Sequence, residues 1–449
     1  MNSPALIESL FLRLLGLTYL CAFGSLWPQI LGLAGSHGIV PVANTLNAMR
    51  AQLGNGAFLD APSLFWFNAS DHAITLCCAL GCVAALLMLC GLFSRPAAAA
   101  CFVLYLSLVS TGQPFTSFQW DALLLESGFL ALFVGAPWLV WAYRFLLFRL
   151  MFESGVVKLA SHDPNWRNLH ALRFHFLTQP LPTPLAYYAY HAPAWLLDSL
   201  TTATLAIELI APFLLFCPKR ARYIGVSLLM LFQVAIILTG NYAFFNLLTL
   251  ALCLWGLDDA TFEPLARFLR RQFPARLELK SPQARTVMNI AVSALVAMGV
   301  LQIAEQFIPG FPAVGMGGLE SFELVNSYGL FAVMTTTRPE IVIEGSDDQV
   351  NWKEYSFRYK PGNLHRGLPL VAPYQPRLDW QMWFAALGTY QGNTWVGSLM
   401  YRLLLGDASV VALLNPPPFP KPPHYLRALV YDYDFTSLAE RARSGAVWQ

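Results

Sequence analysis

Apolar runs close to the ~20 residues that a helix needs to cross a bilayer recur through the first two thirds of the chain. They cover roughly 9–33, 73–93, 96–112, 119–141, 143–161, 195–217, 222–240, 241–257 and 286–306. This pattern predicts a mainly α polytopic membrane bundle of about nine transmembrane helices. After Phe307 the pattern changes, because Pro309, Gly310 and Pro312 break the last helix. Residues 340–345 read as a strand. Residues 352–360 alternate, with Tyr355, Phe357 and Tyr359 on one side and Glu354, Ser356 and Arg358 on the other. SDDQVN between them is turn chemistry. Two proline-rich stretches (367–376 and 415–423) separate predicted helices over 379–387 and 395–405 from a last candidate strand, HYLRALVYDYDF. The expected organisation is a transmembrane helical domain, 1–306, followed by a C-terminal extracytoplasmic β-rich domain, 307–449.

Composition supports this reading. Hydrophobic residues make up 56% of the 449 and charged residues only 12%, about half the usual soluble fraction of ~25%. The lipid bilayer is thus the first partner. A net charge of +2 without a basic stripe excludes nucleic acid. The N-terminus has neither a basic n-region nor a cleavage site, so it reads as an anchor that stays. Basic residues concentrate near Arg95, Arg144, 219–222 and 267–285, which the positive-inside rule assigns to the cytoplasm. Parity then puts 34–72, 162–194 and the chain beyond about 307 on the other side. The count closes only if 143–161 crosses; the alternative there is a helix lying in the interface. The eight cysteines, Cys21 to Cys253, lie in or beside apolar segments, and no CxxC occurs. This argues against a thiol oxidoreductase site and against a disulfide-built outer domain.

The stretch 143–193 departs most from an ordinary span. It carries Arg149, Glu153 and Lys158 in an apolar run, and charges there are functional candidates. Arg149 and Glu153, four apart, can pair on one helix face. Lys158 points to the opposite face, so its partner is another span or solvent. It is either a lysine snorkelling to the interface or an amine in a low-dielectric pocket, able to act as a base. Glu126 and Glu208 are the carboxylates that could complement it, and Pro212 frees the carbonyl of Glu208. Asn241 and Asn246 fit interhelical hydrogen bonds. His162, His170, His175 and His191 lack the spacing of a helical metal site, so no metal is expected. Trp166, Tyr187, Tyr188 and Trp195 fit an interfacial aromatic belt. QPLPTP is stiff and extended. No Gly-rich phosphate loop, GxSxG or Cys/His nucleophile pair is present.

At these residues the chain resembles the lipase maturation factor family. The resemblance rests on FQWDALLLESGFLA (118–131), SGVVKLASHDPNWRNLHAL (154–172), TQPLPTPLAYY (178–188), TGNYAFFNLLTL (239–250), IVIEGSDDQVNWKEYSFRYKPG (341–362) and APYQPRLDWQMWFAAL (372–387). Leu177 stands where family members commonly have an acidic residue, and Tyr374 where they commonly have histidine. The resemblance implies a membrane-resident factor that helps secreted enzymes, lipases among them, reach an active fold. A bacterial member would sit in the inner membrane with its N-terminus cytoplasmic and its C-terminal domain periplasmic. A eukaryotic one would sit in the endoplasmic reticulum. The compact loops and the absence of a retention signal favour the bacterial setting. A fainter resemblance covers GVVKL alone: it is similar to the stretch around the active-site lysine of the vitamin-K-dependent gamma-carboxylase.

Two function classes follow. In the first the protein is a maturation factor for a secreted client such as a lipase. Aromatic anchors Trp352, Tyr355, Phe357, Tyr359, Trp380 and Trp383 would meet the client, and a thiol-handling partner would supply any redox step. In the second it is a membrane enzyme acting on a quinone- or lipid-like molecule. Lys158 would be the base, Glu126 or Glu208 would tune it, and Arg173 or His175 would gate the site. Trp120, Asp121, Trp166, Gln179, Asn241 and Gln381 complete the candidate binding residues. Any cofactor is unknown. A transporter would need an inverted repeat, which the sequence does not show.

Overall fold

The computed structural model describes residues 5–262, 281–308, 310–311 and 319–449. Uninterrupted apolar runs build helices, and proline or glycine ends them. Ser70 opens the Asp71–Leu89 helix by accepting the Ala73 N–H. Gly91, at φ 75°, turns the chain back into the Ser94–Thr111 helix. The Ala194–Ile210 helix passes into a tighter turn, Ala211–Phe216. Pro212 cannot donate to the carbonyl of Glu208 there.

Among the described residues, six helices are long and apolar enough to cross a membrane: Leu6–Ala34, Asp71–Leu89, Ser94–Thr111, Ala194–Phe216, Lys219–Thr239 and Pro282–Phe307. The expected nine crossings are not reached by this measure. The apolar run 119–141 is broken, its helix ending at Leu130 and the next starting at Leu139. The 12 residues of Gln119–Leu130 rise only ~18 Å, against a hydrocarbon core of ~30 Å. Phe245–Cys253 has nine residues. The 22-residue helix Leu139–Ala160 is long enough, but it carries the charges.

The bundle has two chemically different ends. At one, arginines close helix termini: Arg144 Nε donates to Trp255 O (2.8 Å) and Arg222 Nε to Gly256 O (2.8 Å). At the other, segments from 34–72, 162–194 and the C-terminal region meet. His37 lies 3.6 Å from Asp407, Trp383 Nε1 donates to Thr178 O (2.8 Å), and Tyr187 OH donates to Thr436 O (2.8 Å).

The C-terminal region holds a three-stranded antiparallel sheet in the order β2-β1-β3. The strands are β1 (Arg338–Ser346), β2 (Lys353–Glu354) and β3 (Tyr425–Tyr433). All nine β1 residues pair with β3, from Arg338↔Tyr433 to Ser346↔Tyr425. The turn predicted at SDDQVN is tied by Asp348, whose Oδ1 accepts the N–H groups of Val350 (2.9 Å) and Asn351 (2.7 Å). These bonds hold its carboxyl well below the usual range. The last residues fold back beside the extension of β3. Gln449 N donates to Asp434 O (2.9 Å), and Asp434 N donates to Gln449 O (3.1 Å).

The alternating stretch at 352–360 is strand only at Lys353–Glu354. Alternation identifies two faces but not which one is buried. Tyr355 and Phe357 lie in the core with Trp380, in the same apolar cluster as the membrane helices. Bundle and outer domain therefore share one core. Trp166 and Tyr187, expected in an interfacial belt, are fully buried, whereas Tyr188 and Trp195 are exposed.

Candidate functional site: the seam between bundle and outer domain

The charges in the Leu139–Ala160 helix organise the seam. Arg149 and Glu153 pair as their spacing predicts, at 3.3 Å. Arg149 also reaches Glu126 on the Gln119–Leu130 helix (2.7 Å) and Gln302 on Pro282–Phe307 (3.0 Å). The remaining lone pairs of both carboxylates are filled by residues 326–329, a strap leading into the outer domain. Glu126 Oε2 accepts the Asn326 N–H (3.0 Å) and the Tyr328 hydroxyl (2.8 Å), and Glu153 Oε2 accepts the Tyr328 N–H (2.7 Å). Gln119 Oε1 accepts the Gly329 N–H (3.1 Å). Carboxylates this buried persist only when opposite charge and donors answer them, and the strap supplies those donors.

Lys158 takes the other carboxylate. Its Nζ lies 2.8 Å from Glu208 Oε2, donates to Ser154 O (3.1 Å) and sits 5.2 Å from the centre of the Trp166 ring. At 2% exposure it does not snorkel. Trp166 Nε1 in turn donates to Phe331 O (2.9 Å), just beyond the strap. The two carboxylates proposed for Lys158 are thus divided, Glu208 to Lys158 and Glu126 to Arg149.

A second charged joint comes from the outer domain. Arg377, at the start of the Arg377–Leu387 helix, grips Asp121 with both terminal nitrogens at 2.9 Å. It also reaches the Phe115 carbonyl (2.7 Å) and Tyr105 OH (3.0 Å). Its own N–H donates to Gln29 Oε1 (3.0 Å), and Gln29 returns a bond to Gln375 O (2.7 Å). Trp120 is sandwiched beside this joint, 4.6 Å from the Phe118 ring and 4.8 Å from Trp380. Trp380 and Gln381 are buried, and Trp383 is buried by its bond to Thr178. Four of the six expected aromatic anchors (Tyr355, Phe357, Trp380 and Trp383) therefore face inward. Tyr359 is half-buried, and Trp352 is half-buried with Arg427 over its ring at 4.1 Å.

The proline-rich loop and the TGNYAFF turn form a third joint. Gln179 Nε2 donates to Thr239 O (2.8 Å), and its Oε1 accepts the Tyr242 hydroxyl (2.9 Å). A Cβ on Gly240 would lie 2.3 Å from that oxygen, so the close approach requires glycine. Asn241 uses its whole amide: Nδ2 donates to Leu181 O (3.1 Å) and Pro369 O (2.9 Å), and Oδ1 accepts from Val371 N (2.7 Å) and Ala372 N (3.1 Å). Arg338 donates to the carbonyls of Leu177, Gln179 and Pro180 and pairs with Glu340 at 2.9 Å, which also holds Lys360 at 2.9 Å. His175 Nε2 lies 3.3 Å from Tyr242 OH. Burial, and secondarily the Lys158 charge, push its pKa down to about 4, so it is neutral at ordinary pH. Arg173 faces outward and pairs with Asp198 through Nε at 2.7 Å. Leu177 sits in an apolar cluster with Tyr187, Phe435 and Trp448, and Tyr374 lies 5.8 Å from the Tyr359 ring.

With the exception of Arg173, which faces outward to Asp198, the candidate site residues lie along one seam. Lys158, Glu208, Glu126, Glu153, Arg149, Asp121 and Arg377 each have their charge answered by an opposite one. Glu126, Glu153 and Asp121 tie the C-terminal region to the bundle, whereas Lys158 and Glu208 join two helices of the bundle. Sequence reading missed Arg377, Arg338, Lys360, Glu340, Asn326, Tyr328 and Gln302. One signal was available: the carboxylates in the helices outnumbered the cations near them, so further donors had to come from elsewhere in the chain.

Comparison with known proteins covers both halves of this seam. The family model described as lipase maturation factor transmembrane domain matches residues 6–264, and that described as lipase maturation factor C-terminal domain matches residues 324–449. Lipase maturation factor 2 of Gallus gallus is 35% identical over 99% of this chain and 80% of its own length. The Homo sapiens protein of that name is 34% identical over 99% and 81%. Lipase maturation factor 1 of Bos taurus is 32% identical over 99% and 86%. No solved structure matches.

Proposed function

The chain belongs to the lipase maturation factor family, and we propose that within it this protein helps secreted lipases reach their folded, active state. It is an integral membrane protein with a maturation role. One observation carries the reading: similarity runs through both the bundle and the outer domain, which are locked together by buried charges. The bundle is then a membrane mount, and the outer domain is the part offered to the client.

We assign residues 1–306 to the mount and 307–449 to the outer domain, with the N-terminus cytoplasmic and the outer domain in the secretory or periplasmic space. The gathering of 34–72, 162–194 and the outer domain at the end away from Arg144 and Arg222 supports this orientation. A bacterial inner membrane is our preferred setting, although the matched relatives named above are animal proteins. The absence of cysteine beyond Cys253 leaves any thiol exchange to a partner. The enzyme alternative has no support among the relatives, and Lys158 is engaged with Glu208.

The test is co-expression of a secreted lipase with the full chain or an empty membrane. Secreted lipase activity per lipase molecule should rise with the chain present. An unchanged specific activity for every lipase tried refutes the assignment.

A further inference from the structure

The outer sheet has an open edge. Tyr355 N donates to Ile343 O (2.8 Å), so the odd-numbered residues of β1 turn their main-chain groups toward β2 and the even-numbered ones toward β3. Pro339 agrees: it lacks an N–H and falls on the side away from β3. With the register Arg338↔Tyr433 through Ser346↔Tyr425, the odd residues of β3 bond to β1. The N–H and C=O groups of Leu426, Ala428, Val430 and Asp432 therefore point off the sheet. Among the described residues, no hydrogen bond reaches these main-chain groups from outside.

Natural sheets protect such edges with proline, lysine, a bulge or a covering segment. Here protection stops at the ends of the strand. Pro422 and Pro423 precede it, and beyond it Gln449 pairs with Asp434 and Val447 with Thr436. Between them Ala428, Val430 and Asp432 are exposed while Leu426 leans on the core, with Val430 63% and Tyr431 47% exposed. The pairing of residues 447–449 with 434–436 shows that this edge accepts an extended antiparallel segment.

We propose that the free edge of β3 captures an extended, not yet folded segment of a secreted client by strand addition. This rests on the maturation reading above and names its docking site. Main-chain bonds make such capture tolerant of client sequence, while Val430 and Tyr431 favour apolar and aromatic side chains. A second copy fits less well. Two-fold pairing that used all four outward residues would set Tyr425 opposite Tyr433, and His424 opposite Asp434, whose partner position is filled by Gln449. The N–H of His424 is tied to Asp347 (3.3 Å), whereas a client segment is free to bend away.

The test uses the full chain in nanodiscs, with a photo-crosslinking phenylalanine at position 430 or, as control, at the exposed turn residue Val350. The probe is a secreted lipase diluted from denaturant. A lipase adduct is expected from position 430 and not from position 350. Ala428→Pro removes one outward donor and crowds the edge without touching the β1 ladder, and should lower the adduct yield about tenfold. Val430→Pro in a chain probed from position 428 is the second variant. An adduct that survives both proline variants, or one formed with a second copy of this chain, overturns the proposal. So does lipase that matures on the wild-type chain while crosslinking only at position 350; in that case the maturation reading stands. Lipase that neither binds nor matures on the wild-type chain refutes both.

Discussion

Arg377→Met is the sharpest perturbation of the seam. Arg377 and Asp121 are each 0% exposed and meet through two bonds of 2.9 Å. Removing one member of a buried pair costs about 3–5 kcal/mol, because the survivor keeps its desolvation penalty. Asp121→Leu should cost a similar amount for the same reason. If the losses were independent, the double variant would lose about 6–10 kcal/mol. The pair answers itself, however, so the double variant should lose only what remains unsatisfied: the Phe115 carbonyl and Tyr105 hydroxyl, at ~1 kcal/mol each. The assay is thermal melting of the full chain in mild detergent, with limited proteolysis of the outer domain read in parallel. The double variant should melt well above either single variant and resist cleavage better. Additive losses, or single variants that melt like the wild type, would refute the claim that this pair clamps the domains.

Lys158→Met should lower melting temperature and lipase maturation together, and Lys158→Met with Glu208→Leu should recover both, since the pair is replaced by apolar volume. A stable double variant without activity would return Lys158 to a chemical role. Asn241→Leu strands the Pro369 carbonyl and the N–H of Val371 and frees the N–H of Ala372, while the Leu181 carbonyl keeps the Asn241 main-chain N–H; with about 1 kcal/mol lost per bond, protease cleavage near 367–372 should accelerate, and unchanged cleavage would contradict the joint. The folded pKa of His175 lies near 4 against an ordinary 6.5, so its neutral form is favoured. Its contribution is present above about pH 6.5 and is lost as pH falls toward 4. His175→Gln should narrow the gap between melting temperatures at pH 7.5 and 4.5; an equal gap in both proteins would rule the histidine out.

Much of the helical layout was legible, because proline, glycine and apolar run length act locally. Trp395–Leu405 begins and ends where the pattern placed it, and β1 and β3 lie on the stretches read as strands. Partners were harder. Helical spacing paired Arg149 with Glu153 and turned Lys158 away from both, and it narrowed the partner of Lys158 to two carboxylates. Choosing between them required the packing of three helices. Asp121 and Arg377 are separated by 256 positions, and no local pattern links residues so far apart. The aromatic face at 355–359 fits a β-domain core as well as a client surface; Tyr355 and Phe357 do lie in a core, one shared with the bundle, and alternation along one stretch cannot name that partner.

The strap at 326–329 also bears on the order in which the molecule is made. Glu126 and Glu153 leave the ribosome 200 and 175 positions ahead of the main-chain donors that complete them, Asn326 and Tyr328. During that interval the nascent bundle holds two carboxylates against a single arginine. It is finished only when residues 326–328 arrive. Membrane insertion and outer-domain folding thus converge on one late event. A chain truncated before residue 326 would be an unfinished membrane protein, recognisable to proteolysis by its unanswered charge.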